Sequence, residues 1–88
     1  MDDFELLRRA GRGDPKAFGV LFERHGAKVF RFLYERRGND RMTAEDMTNE
    51  VFMRAWRGLP NYDGKTPPGK LFMDIAQSLD NENRSSSK

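Results

Sequence analysis

Ala44-Glu45-Asp46-Met47-Thr48-Asn49-Glu50-Val51-Phe52-Met53-Arg54-Ala55-Trp56-Arg57 is the stretch on which the reading of this chain turns. Met47, Val51 and Ala55 recur every fourth residue and Leu59 continues the series, the period of one face of an α-helix. Thr43 is placed to cap this helix, and Glu45 and Asp46 in its first turn suit the positive end of the helix dipole. Away from the apolar face, Asp46, Asn49, Glu50, Met53 and Arg57 fall on one polar stripe. Spacing alone makes that stripe a solvated helix face. Its acidic end would also suit basic residues on a partner helix, with Met53 adding an adaptable apolar contact.

Outward from this helix the same period holds, and no run alternates apolar and polar residues as a half-buried strand does. A first helix is expected over about Asp3 to Arg12, with Phe4, Leu7 and Ala10 inward and Gly11 and Gly13 ending it. Asp14-Pro15 restarts the chain as N-cap and first helical residue. The second helix runs to about Arg37, with Phe18, Leu21, Phe22, His25, Val29, Phe32 and Leu33 on one stripe. Gly38-Asn39-Asp40 breaks it. Pro60 to Pro68 reads as a turn-rich loop. A fourth helix from about Gly69 presents Leu71, Phe72, Ile75, Ala76 and Leu79. The expected fold is all-α, a compact bundle of four helices over residues 1–80, with 81–88 a disordered tail that has nothing to bury.

Composition removes several function classes. The chain has 88 residues and no cysteine, which excludes disulfides and thiolate metal sites, and one histidine is too few for a histidine-based centre. His25, on the apolar stripe, reads as a packed core-edge residue rather than a ligand or base. No nucleophile–base pair, phosphate-cradling glycine loop or carboxylate dyad occurs at usable spacing, so neither an enzyme nor a bound cofactor is expected. The acidic start and the lack of a long apolar run point away from secretion and membranes and toward the cytoplasm. Net charge is +2, divided as +3 over residues 1–42 and −1 over 43–88. Nucleic-acid contact is permitted by that balance without being announced by it. Arg36, Arg37 and Arg41 either complement a helix end or touch a partner, and Trp56 with Phe52 reads as an aromatic pair at the core edge.

The quoted run closely resembles the signature of extracytoplasmic-function (ECF) sigma factors of bacterial RNA polymerase. Flanking segments match in order and spacing: Leu6-Leu7, Gly13-Asp14, Ala17-Phe18 and Leu21-Phe22-Glu23-Arg24 upstream, then Tyr62-Asp63-Gly64 and Leu71-Phe72-Met73-Asp74-Ile75-Ala76 downstream. Together they span nearly the whole chain as sigma region 2. The resemblance implies a transcription initiation factor domain that docks on the clamp helices of the largest subunit of core RNA polymerase, and it assigns that role to Asp46, Asn49, Glu50, Met53 and Arg57. Asn49 stands where the family usually has Gln. The resemblance further implies recognition and melting of the −10 promoter element by the segment after the third helix. Asn61, Tyr62, Asp63, Lys65, Lys70 and Gln77 are the candidates here, with Tyr62 either a stacking ring or a lid on the core.

The fourth helix departs from the family pattern. Lys70 replaces a Trp, Ala76-Gln77-Ser78 replaces Ala-Arg-Asn, and the basic ending has become Glu82-Asn83-Arg84. From Gly69 to Arg84 the net charge is −1, a poor surface for phosphates. A second expectation therefore stands beside the first: a sigma-like decoy, or one subunit of a split sigma factor, binding polymerase or an anti-sigma factor without reading DNA itself. The family's −35-reading domain has no counterpart in these residues, so either the chain is an excised domain or that reader sits on another polypeptide.

Overall fold

The structure is a computed structural model that describes residues 1–86, with side chains through Glu82. Four α-helices follow in order: α1 (Asp3–Gly11), α2 (Pro15–Arg36), α3 (Arg41–Gly58) and, after a single 3-10 turn at Leu59–Asn61, α4 (Pro68–Ser86). The α2 helix packs against each of the other three and is ~33 Å long at 1.5 Å per residue. It spans most of the 39 Å long axis. The all-α bundle is as expected. Among the described residues no helix is long and apolar enough to cross a membrane.

The first three helices each start with a carboxylate on their free amides, because the first backbone N–H groups have no partner within the helix. Asp2 accepts from the Glu5 amide at 2.8 Å, and Asp14 from the amides of Lys16 and Ala17 at 3.0 and 3.3 Å. The cap of α3 is Asp40 and not Thr43. Asp40 accepts from the Thr43 amide at 3.2 Å and from the Thr43 hydroxyl at 2.8 Å, so Thr43 completes the cap as a donor. The helix consequently begins at Arg41, and Glu45 and Asp46 move out of the first turn. Gly38 and Asn39, both at φ 64°, turn the chain between α2 and α3 in the left-handed region that glycine and asparagine tolerate best.

The core is one cluster drawn from all four helices. Leu6, Leu7 and Ala10 of α1 meet Leu21, Val29 and Leu33 of α2, Met47, Val51, Phe52 and Ala55 of α3, and Phe72, Ala76 and Leu79 of α4. Leu6 takes the inward place expected of Phe4, which lies at the rim, 37% exposed. Phe72 is fully buried at the centre of an aromatic group, its ring 4.6 Å from Phe52, 6.3 Å from Phe18 and 5.4 Å from His25. Trp56 packs edge-on against Phe18 at 5.2 Å, so its aromatic partner is on α2 and not Phe52 of its own helix.

Polar ties fasten the helices to one another. His25 meets Asp3 through Nε2 at 2.7 Å while Arg24 donates to the same carboxylate at 2.8 Å, fastening the start of α1 to α2. Burial pushes the Asp3 carboxyl up, but the hydrogen bonds from Arg24 and His25 outweigh it and hold the group below its ordinary value. At the other end Arg37 turns inward, donating to the buried Asp80 carboxylate at 2.6 Å and to its backbone carbonyl at 2.9 Å. Arg36 lies over the Phe32 ring, 4.7 Å from its centroid. The basic cluster is thus split, with Arg37 a structural element and Arg41 exposed and paired with Glu45. The α4 helix continues past Asn81, where a loose tail was expected, because Glu82 there receives Arg54 from α3 at 2.8 and 3.0 Å. Ser87 and Lys88 lie outside the described residues.

Candidate functional site

The α3 stripe faces outward, since Val51 and Ala55 bury the opposite side of the helix against α2 and α4. Asp46, Asn49, Met53 and Arg57 are exposed and Glu50 is half-buried. Among the described residues neither Asp46 nor Asn49 has a side-chain partner, so both keep their hydrogen-bonding capacity for another molecule. Glu50 differs from them. Its Oε2 accepts from Arg54 Nε at 3.0 Å and lies 3.5 Å from Arg57, so two cations of its own helix already hold the carboxylate. Arg57 also donates to the Met53 carbonyl at 3.3 Å. The five residues share one helix, but four form the outward face and Glu50 sits at its edge.

Beside that face runs an apolar groove of about 730 Å³ between α3 and the first half of α2. Asn49, Met53 and Arg57 form one wall, and Phe18, Phe22 and Trp56 supply its aromatic surface. Met53 is 55% exposed, Phe22 39% and Trp56 38%. An uncovered aromatic surface of this kind marks an interaction site more often than a solvated face does. The periodicity places Phe18 and Phe22 in the core because it records which face turns inward and not how far the neighbouring helices reach across it.

The second set of candidates lies on the segment from Leu59 into α4. Asp63 organises the loop: it accepts from the amides of Lys65 and Thr66 at 2.8 and 2.9 Å and from the Thr66 hydroxyl at 2.8 Å. Those amides, Thr66 first, hold its carboxyl below the ordinary value. The Tyr62 hydroxyl donates to the Thr66 carbonyl at 2.5 Å, and its half-buried ring packs on the core. Burial, then the neighbouring Asp63 charge, pushes its pKa up. Tyr62 is therefore chiefly a lid, with one ring edge left in a small pocket of about 220 Å³ that Asn61, Asp63 and Ile75 also line. Asn61 and Lys65 are exposed on the loop, and Lys70 and Gln77 lie two turns apart on the outer face of α4. Lys70 is exposed and pairs with Asp74 at 2.8 Å, one turn along the same helix, a surface contact that water screens. The structure thus gathers Asn61, Tyr62 and Asp63 at one pocket and leaves Lys65, Lys70 and Gln77 outside it. Among the described residues no group of three or more His, Asp or Glu side chains is placed to hold a metal ion.

Comparison with known proteins identifies the family. The family model for sigma-70 region 2 matches residues 21–77, which takes in most of α2, all of α3, the loop and the first half of α4. The chain is 40% identical over 77 residues to the ECF RNA polymerase sigma factor BldN of Streptomyces coelicolor, covering 85% of this chain and 28% of that protein. It is 34% identical over 62 residues to the RNA polymerase sigma-H factor of Pseudomonas aeruginosa, covering 70% and 32%. Identity to the ECF sigma factor SigE of Mycolicibacterium smegmatis is also 34%, over 64 residues, covering 65% and 24%. The chain therefore spans about a third or less of the length of the relatives it matches. No solved structure matches it. Sigma region 2 is a binding domain and not an enzyme: it binds core RNA polymerase and recognises and melts the −10 element. From the α3 signature to the loop that follows it, this chain belongs to the sigma-70 region 2 family of RNA polymerase sigma factors.

Proposed function

We propose that this chain docks on core RNA polymerase through the outer face of α3 and holds unpaired −10 promoter DNA along the loop at residues 61–66. The observation that carries the proposal is the pairing, on one helix, of unsatisfied polar side chains (Asp46, Asn49) with an open aromatic groove. Partner helices are recognised by that combination, an apolar anchor in a groove with charges at its rim. The clamp helices of the largest subunit are the partner the family relation supports, with Asp46 meeting a cation and Met53 entering the contact. The work is then cytoplasmic. An anti-sigma factor would compete for the same groove, and the −35 element is read by residues beyond these 88 or by a separate subunit.

The test is affinity for core polymerase of the chain and of an Asp46→Lys/Met53→Glu variant, alongside polymerase-dependent binding of a single-stranded −10 oligonucleotide. Loss of polymerase binding in the variant supports the docking face, and full retention refutes it. A second reading, docking without DNA contact in the manner of a decoy or split-sigma subunit, is favoured by the net charge of −1 from Gly69 to Arg84. A polymerase complex that binds no single-stranded oligonucleotide would decide for it.

A further inference from the structure

A cleft of about 370 Å³ separates α1 from the loop that follows α3, and no residue of α1 figures among the candidates above. Arg8 and Arg12 of the first helical segment line one side, Tyr62 and Gly64 the other, and Phe4 lies within it, 37% exposed. Arg8 is close enough to Tyr62 to lower the pKa of its hydroxyl against the pull of burial. The charge of the cleft is positive. Glu5 is shared by Arg8 and, at 3.3 Å, by Arg9, so one carboxylate faces two guanidinium groups. Among the described residues the Arg12 side chain has no partner. The nearby Asp63 carboxylate is occupied by the amides and hydroxyl of its own loop. Gly11 and Gly64 line the cleft with no atom within 4 Å of where a Cβ would stand, leaving room for a bulky occupant.

A cationic rim, an exposed aromatic ring and open glycine walls match the needs of one nucleotide: a phosphate for the arginines and a base face for Phe4. We propose that this cleft binds a nucleotide of the single-stranded promoter DNA adjoining the bases at the 61–66 loop, with Arg8 and Arg12 on its phosphates and Phe4 against its base. The inference rests on the −10 reading above and deepens it. The segment from Gly69 to Arg84 has a net charge of −1, and the cations it is short of come from the first helical segment on the other side of the loop.

The experiment measures salt-dependent affinity of the polymerase-bound chain for a fluorescent single-stranded oligonucleotide selected from a random pool. It compares the native chain, Arg8→Ala/Arg12→Ala, Gly11→Glu and, as a control outside the cleft, Arg31→Ala. Each lost phosphate contact lowers the log–log salt slope by ~0.7 for a single strand, so the double variant should lose about 1.4 in slope, about 25-fold in affinity at about 0.1 M salt. Gly11→Glu, whose Cβ meets no atom within 4 Å, sets an anion at the cleft and should weaken binding in the same direction, while Arg31→Ala should not. Polymerase affinity, read separately, should stay the same throughout. A native chain that binds the strand while the double variant and Gly11→Glu bind it with unchanged affinity and slope would overturn the cleft alone. If the native chain binds no strand, the −10 reading fails, and this inference with it.

Discussion

Replacing Trp56 by alanine tests the groove most directly. Trp56 is 38% exposed. A tryptophan can bury ~250 Å², so about 95 Å² remains for a partner to cover. At ~25 cal/mol per Å² that cover contributes about 2.4 kcal/mol to docking. The variant should therefore bind core polymerase roughly 50-fold more weakly. Part of Trp56 also supports the fold through its edge contact with Phe18 at 5.2 Å, and such a pair adds ~0.5–1.5 kcal/mol to stability. Binding must accordingly be read at a temperature where circular dichroism shows both proteins fully folded. Met53→Glu is the companion variant, since Met53 is 55% exposed and its loss leaves the core intact. Fluorescence anisotropy of the labelled chain, titrated with core polymerase, gives both dissociation constants. Agreement of both variants with the native value within twofold would refute the groove as a docking surface.

Other outcomes follow from the same geometry. Asp80→Ala strands the Arg37 guanidinium, 18% exposed, and should cost about 3 kcal/mol. In a domain of this size that is a fall in Tm of roughly 12–24 °C by calorimetry, and a change under 4 °C would contradict the buried pair. Asn39→Ala places alanine at φ 64° and should cost about 1 kcal/mol in chemical denaturation, whereas Asn39→Gly should be neutral or better. Acid should weaken the fold. Asp3, Asp40 and Asp63 all lie below their ordinary 3.8 in the folded chain, so their contribution is complete above that value and lost as pH falls through the lowered ones. Urea midpoints measured from pH 6 down to pH 2.5 should be flat and then decline below about pH 4, and a midpoint that rises in acid would reverse the sign.

The helices were legible because each apolar stripe has a clear period and each start carries Asp or Pro. Asp40 was overlooked as a cap because Thr43 is also a good cap residue, and the two differ only in which supplies the acceptor. Arg37 could not be singled out from its neighbours. A basic residue at a helix end looks solvated unless the partner, Asp80, is known to arrive from the far end of the chain. Glu50 was expected on the polar stripe, and its pairing with Arg54 and Arg57, one turn and two turns along the same helix, was not foreseen because stripe spacing does not say which charges close on each other. The groove and the α1 cleft lay beyond reach for a common reason: each is a space between elements, and its walls come from helices whose relative placement no periodicity encodes.

The fully buried ring of Phe72 has a consequence for how the chain comes off the ribosome. The α1–α2 and α2–α3 hairpins pair neighbours in sequence, and such local contacts form fast. Phe72 is the only one of the four-ring group of Phe18, Phe22, Phe52 and Phe72 carried by α4, and Phe52 and Phe18 both close on it. Until that last helix leaves the exit tunnel, Phe18 and Phe52 lack the ring that closes on them in the folded chain. At ~5–20 residues per second the interval lasts on the order of seconds, long enough for a chaperone to take hold and for synonymous changes that alter translation speed around Pro67-Pro68 to shift the yield of native protein.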